Sequence, residues 1–205
     1  MGQATLGFRV HSGWAALVAV SLQEDSPSVL VRQRVHLVET FTYGFRQPYH
    51  TAKKMPFDKA RDFVSRMQSE SRRLAHHAIL GLQSDLETQG FTLKSCALIL
   101  ASGKPLPKLE KILASHALIH TADGELFREA IVHASARSGL RISTVKEREL
   151  LDRAGQAFRM KPAALLEQVT ELGRPLGSPW TQDEKFATIA AWLALASNPR
   201  RSQRR

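Results

Sequence analysis

The 205-residue sequence predicts an α/β fold: a mixed sheet, antiparallel in its N-terminal strands and parallel afterwards, with helices on both faces. Three observations predict it. The first forty residues alternate apolar and polar positions or run in β-branched stretches, which is the pattern of strands. From Pro56 the apolar period changes to three and four residues, the pattern of helices. Two later runs, CALILA (96–101) and LRISTV (140–145), are strand-length and alternate with helical patterns, so crossover connections and a parallel pairing follow.

Residues 6–21 (LGFRVHSGWAALVAVS) are rich in β-branched and aromatic residues and are interrupted at Ser12-Gly13. They form two strands joined by a turn, or one strand with a bulge. After the turn-forming EDSPS, residues 28–38 put Val29, Val31, Val35 and Leu37 on one face and Arg32, Arg34 and His36 on the other, a solvated or anion-facing surface. Residues 39–55 have little periodicity and read as a loop or short edge strand. A long helix from Pro56 buries Ala60, Phe63, Val64, Met67, Leu74, Ala75, Ala78, Ile79, Leu82 and Leu86, and Gly90 stops it. CALILA, apolar throughout, is placed at the sheet's centre. A short helix over 106–118 precedes one that starts near Thr121 and buries Leu126, Phe127, Ala130, Ile131 and Ala134 before Gly139. Strand 140–145 is followed by helices over 146–158 and 162–172, a GRPLGSP linker (173–179), and a last helix with Phe186, Ile189, Ala190 and Leu193 inward. No internal repeat is visible. The expected organisation is one domain over residues 1–198 and a basic, disordered tail over 199–205.

An apolar fraction of 43% excludes a disordered chain, and no apolar run approaches the roughly 18 residues of a membrane span. The single cysteine excludes an internal disulfide framework and a cysteine-built zinc site. The start MGQATLGFRV lacks the basic and long apolar regions of a signal peptide, so the expectation is a soluble cytoplasmic protein without membrane contact. The net charge is +10, unevenly placed: residues 1–56 carry six bases against three acids, residues 199–205 carry four arginines and no acid, and residues 57–198 carry 19 bases against 16 acids. A nucleic-acid partner follows from that excess, contacted by Arg9, Arg32, Arg34, Lys53, Lys54, Lys104, Arg200 and Arg201. The tail itself reads as a solubilising end or a phosphate-binding arm. A protein partner or a homo-oligomer is the other partner class.

Individual side chains narrow the chemistry. Thr181-x-x-Glu184 is a capping box, which gives Asp183 and Glu184 a structural role at a helix start. His116 and His120, four apart with Asp123 nearby, have the spacing of shared metal ligands, but a helix break near Thr121 and the lack of an obvious third histidine count against it, and no metal site is assigned. The adjacent His76 and His77 point in different directions. His11, at the strand turn, is the best single acid/base candidate, with Asp183 as the other catalytic candidate. Ser102-Gly103-Lys104 follows the buried strand at its carboxyl end, where ligands bind in α/β sheets, and is too short for a nucleotide-binding loop. Trp14, Trp180 and Trp192 are core or cap residues, although an exposed Trp180 would be able to stack on a base. Cys96 is buried packing and not a nucleophile.

The order of elements is RNase H-like, and three stretches make the likeness more specific. LGFRVHSGWAALVAV resembles the first strand, glycine turn and second strand of RuvC-type Holliday-junction resolvases. IHTADGELFREAI (119–131) is similar to the start of that family's helix after the central strand, and STVKERELLDRAGQAFRMKPAALLEQVTELG with WTQDEKFATIAAWLALA is similar to its closing region. The likeness spans residues 6–197. It implies divalent metal held by carboxylates of the first strand, the central strand and the last helix, because hard cations require oxygen donors. In this sequence Arg9 stands at the first-strand acid, Leu100 or Ala101 at the central glutamate, and Phe186 at the second acid of the last helix; Asp183 alone matches. The resemblance therefore implies a degenerate member without cofactor, one that binds nucleic acid without cutting it. Arg9 then contacts a phosphate in the old cleft or pairs with Asp183. Two other readings stay open: an enzyme, such as a hydrolase, with a site rebuilt from His11, Ser102, Lys104, His116, His120 and Asp183; and an interaction module whose cleft is packed with apolar side chains.

Overall fold

The computed structural model describes residues 1–24, 26–101 and 105–197. Its strands are β1 (Gly2–His11), β2 (Trp14–Gln23), β3 (Ser26–His36), β4 (Phe91–Leu100) and β5 (Arg141–Lys146). Its helices are α1 (Tyr43–Arg46), α2 (Pro48–Ala52), α3 (Phe57–Thr88), α4 (Leu109–Leu113), α5 (His116–Arg137), α6 (Glu147–Phe158), α7 (Pro162–Gly173) and α8 (Gln182–Ala196), with one 3-10 turn at Arg174–Leu176. The sheet order is β3-β2-β1-β4-β5. The first three strands are antiparallel, whereas β4 runs parallel to β1 and β5 parallel to β4. This is the predicted mixed sheet.

Gly13, at φ +83°, makes Ser12-Gly13 a hairpin turn between two strands. Along β1 the side chains alternate as a strand must. Ala4, Leu6 and Phe8 point to a core shared with Leu17 and Ala19 of β2, Cys96 and Leu98 of β4, and the buried faces of α3 and α5. On the other face α8 lies across β2 and β4, its Ala187 and Ala191 against Val18 and Val20 and its Ile189 and Ala190 in the cluster with Ala97 and Ile99. α6 and α7 complete that second layer through Leu150, Ala154, Leu165 and Val169. Helices thus cover both faces, as the apolar patterns require. Among the described residues no helix is long and apolar enough to cross a membrane.

Four local expectations differ from the structure. The middle strand is β1; the CALILA strand lies beside it, with only the six-residue β5 beyond. The register of β2 on β3 jumps from Ala19–Val31 to Val20–Val29, so Leu30 is an extra residue and Val29 turns to the α8 face, away from Val31 and Val35. Residues 39–55 contain two short helices; Pro48 starts α2, where its missing N–H costs no hydrogen bond. The helix expected over 106–118 is the single turn α4, and α5 begins at His116 and passes through Thr121 without a break because Ser115 caps it, its side chain accepting from the Leu118 N–H.

Gly7 governs how closely α8 approaches the sheet. A Cβ there would lie 1.9 Å from the Ala187 carbonyl oxygen and 3.1 Å from the Ala191 Cβ, and neither is the movable end of a long side chain. Gly7→Ala is therefore expected to push α8 off β1 and destabilise the protein by about 2–4 kcal/mol. A loss under roughly 0.5 kcal/mol in urea unfolding would contradict that contact.

Cys96 is fully buried, and desolvation pushes its thiol from 9.0 up to about 12. The folded state holds the proton where the unfolded chain releases it, so this group lowers stability as pH rises above 9 toward about 12. Cys96→Ala should flatten the decline in unfolding free energy over that window, and native protein at pH 8 should leave Ellman's reagent unreacted until denaturant is added.

Candidate functional site

Gly7, Arg9 and His11 are alternate residues of β1 and share the face that α8 covers. Below them on α8, Thr181 caps the first turn: Glu184 accepts from the Thr181 N–H at 2.7 Å, and the Asp183 N–H donates to Thr181 Oγ1 at 3.2 Å. The predicted capping box is present, and it aims Asp183 at the strand. Asp183 Oδ1 accepts from Arg9 Nη1 at 2.5 Å and faces His11 Nε2 at 3.0 Å; an ionised carboxylate only accepts, so the ring donates. The other arm of Arg9, Nη2, donates to Glu147 Oε1 at 2.7 Å. Glu147 is the first residue of α6, directly after the carboxyl end of β5. Phe186 completes the enclosure, its ring centre 5.2 Å from the Arg9 guanidinium carbon.

The result is one guanidinium bridging two carboxylates at the carboxyl ends of β1 and β5. Arg9 and Asp183 are 17% and 19% exposed and Glu147 43%, so the Asp183 arm is the better shielded of the two. Screening leaves the Glu147 arm a weak contributor. The pairing of Arg9 with Asp183, one of two roles open to Arg9 in the sequence, is present. Glu147 gave no signal there beyond its place after a strand.

A second surface extends from the hairpin turn. The His11 ring stacks on Trp14 with centroids 4.4 Å apart, and the Arg34 guanidinium lies 3.8 Å from the Trp14 ring centre. Arg34 and Arg46 both lie over Phe41, at 5.3 and 4.6 Å, and His36 meets the same ring edge-on. Phe41 is 41% and Tyr43 61% exposed. Lys53 and Lys54 are exposed just beyond α2. Arg32 is occupied differently: its Nη1 donates to the Gly177 carbonyl at 2.8 Å and to that of Pro179, and Nη2 to that of Leu176 at 3.2 Å, so it fastens the linker to β3.

Lys104, Arg200 and Arg201, together with Ser102 and the tail over 199–205, lie outside the described residues. His116 and His120 contact His50 of α2, on the side of the sheet covered by α3 and α5, whereas His11 and Asp183 belong to the α8 side. The described members of the rebuilt-enzyme set thus form two groups on opposite faces. His50 is the third histidine that no spacing in the sequence disclosed. Trp180 donates from Nε1 to the Val169 carbonyl at 2.9 Å and Trp192 stacks on Phe158, so both are packing residues.

Neither a protein-family model nor a curated protein matches the chain. Solved structures do. RuvC from Thermus thermophilus in complex with a Holliday junction substrate is similar over 95% of this chain and 93% of its own, with a TM-score of 0.53 at 11% identity. A second Thermus thermophilus RuvC structure is similar over 94% and 93%, with a TM-score of 0.50 at 12% identity. The fold is RuvC-like and RNase H-like. In this fold β1 forms an antiparallel hairpin with β2 and is followed across the sheet by the parallel β4 and β5, and Arg9, Glu147 and Asp183 stand at the carboxyl edge of the sheet.

Replacing Arg9 by Gln leaves Asp183 and Glu147 facing one another without the bridging cation. The expected loss is about 1–3 kcal/mol, with Arg9→Lys only partly restoring it because an ammonium lacks the planar fork. Chemical unfolding of the two variants checks this; equal stability of Arg9→Gln and the parent would mean that the bridge contributes nothing.

Proposed function

We propose that this is a cytoplasmic, catalytically degenerate RuvC-like protein that binds nucleic acid without metal-dependent cleavage, as one domain through residue 198 with a basic tail. The observation that carries the proposal is the Arg9 bridge. A hard divalent ion requires several oxygen donors around it. Here the oxygens nearest the first strand already accept hydrogens from a guanidinium and an imidazole, and a fixed positive charge stands among them. These residues do not fit the carboxylate metal site that the resemblance implies.

Binding is supported by the fold and by the surface beside the bridge. Arg34 lies over the Trp14 ring and Arg46 over that of Phe41, Phe41 and Tyr43 remain part-exposed, and Lys53 and Lys54 are exposed just beyond α2. Alternating cations and rings suit a backbone-tracking, base-stacking contact with single-stranded or branched nucleic acid. RuvC of Thermus thermophilus, in the structure named above, holds a Holliday junction. Lys104, Arg200 and Arg201 belong to the proposed contact set as further phosphate-binding cations. Arg32, whose donors are taken by linker carbonyls, contributes through the position of β3 and through its charge at a distance.

Fluorescence anisotropy with single-stranded, duplex and four-way-junction DNA and the corresponding RNAs tests the reading, with magnesium present and products run on a gel. The expected outcome is binding that weakens with salt at a log–log slope of about 0.7–0.9 per phosphate contacted, and no cleavage. Lys53→Ala with Lys54→Ala should lower that slope by about 1–2, whereas Phe41→Ala should weaken single-strand binding by about 1–3 kcal/mol. Absence of binding to all ligands at low salt would overturn the binding claim, and magnesium-dependent products would overturn the claim of lost cleavage.

A further inference from the structure

The structure brings three histidines together away from the Arg9 bridge. α2 lies against the first turns of α5, with Tyr49 and Ala52 buried in the same core as Ile119 and Ala122. That contact sets His50 over His116 and His120, which are one turn apart on α5. Ring centroids are 4.5 Å apart for His50 and His120, 4.5 Å for His116 and His120, and 5.6 Å for His50 and His116. One ligand atom from each lies within 4.8 Å of the others.

Asp123 is the second observation. It is a carboxylate only 3% exposed, on the next turn of α5, and both of its oxygens are used. Oδ1 accepts from the Tyr49 N–H at 2.7 Å, which fixes α2, and Oδ2 is 2.5 Å from His50 Nδ1. When His50 donates from Nδ1 to that carboxylate, its Nε2 carries the lone pair. A buried carboxylate orienting an imidazole in this way is the outer-shell arrangement of histidine metal sites.

We propose that His50, His116 and His120 bind one zinc-class divalent ion, with Asp123 as the positioning residue for His50. Three neutral imidazoles suit zinc, cobalt or nickel and not magnesium or calcium, which select oxygen. Tetrahedral ligation at about 2.0–2.1 Å needs nitrogens roughly 3.3 Å apart, closer than the 4.8 Å bound seen here. His116 and His120 are exposed and can close that gap by side-chain rotation, while His50 is held in place. The fourth position faces water, and the ion joins α2 to α5. This site does not rest on the nucleic-acid reading: it uses none of the same residues, and it stands on the other face of the sheet from Arg9 and Asp183.

The test uses full-length protein without a polyhistidine tag, stripped with chelator and dialysed. Titration with zinc should show one equivalent bound, and cobalt should give the visible d–d bands of a tetrahedral site. His116→Ala and His120→Ala, both at exposed positions, should each weaken binding at least about 10-fold, and Asp123→Asn by about 10- to 100-fold. His77→Ala, on the exposed side of α3, should leave it unchanged. Zinc should raise the melting temperature of the parent and not that of the His116→Ala/His120→Ala double variant. Failure of the parent to bind one equivalent of zinc or cobalt, or undiminished binding by the double variant, would overturn the proposal.

Discussion

The missing side chain at Gly7 lets the last helix rest on the middle strand, and much of the molecule's chemistry is arranged by that contact. A Cβ at Gly7 would fall inside the Ala187 carbonyl, so α8 sits about as close to β1 as backbone atoms permit. Asp183 is one helical turn before Ala187, and Arg9 is two residues after Gly7 on the same face of the strand. Close packing at one level therefore delivers the carboxylate to the guanidinium at the next. The capping box at Thr181 fixes where the helix starts, and hence the height of Asp183. If the helix stood a methyl group further out, the same side chains would face across a wider, wetter gap, where an ion pair contributes little.

Much of this arrangement was legible in the sequence because it is carried by periodicity. The alternation in the first forty residues and the switch to a helical period at Pro56 depend only on which side chains must leave water. The likeness of LGFR and WTQDEKF to the RuvC-type pattern leaves Arg9 two roles, a phosphate contact or a pairing with Asp183, and the pairing is the one present. What escaped has a common physical character. The bulge at Leu30 is a one-residue register change that leaves composition untouched, yet it sends Val29 to the other face. α1 and α2 are too short to show a period, and α2 is held largely by tertiary contacts, including the hydrogen bond from Tyr49 to Asp123. Glu147 and His50 reach their clusters only through the packing of α6 and α2, and no spacing rule connects residues brought together in that way.

The charge excess also changes meaning once each cation is placed. Arg9 is paired with two acids, and the donors of Arg32 are taken by backbone carbonyls while its charge remains, so two of the basic residues in the N-terminal third organise the fold. Arg34 and Arg46 keep their charge and lie on aromatic rings, and Arg46 also donates from Nε to the Ser12 carbonyl at 3.4 Å. Net charge alone treats all four alike. A weakly hydrated cation already stacked on an apolar ring loses less water on meeting a phosphate than a free lysine does, and this favours the Trp14–Phe41 surface within the proposed contact set.

An arginine within an acidic cluster is also a particular solution to an electrostatic problem. Asp183 and Glu147, at the starts of α8 and α6, repel, and a positive charge between them lets those ends stay close. A bound metal supplies it only when present, and the elements can relax apart when it leaves. A covalently tethered guanidinium supplies it at all times, with hydrogen bonds directed at both acids. The sheet edge is thereby set in advance, and its closure is independent of ion concentration. The cost falls on chemistry: a permanent cation whose donors are already engaged cannot polarise a phosphodiester as an exchangeable metal does. It can still hold the edge of the sheet in shape beside the proposed nucleic-acid surface, which is the division of labour that the Arg9 bridge and the adjacent Arg34–Trp14–Phe41 stack together favour.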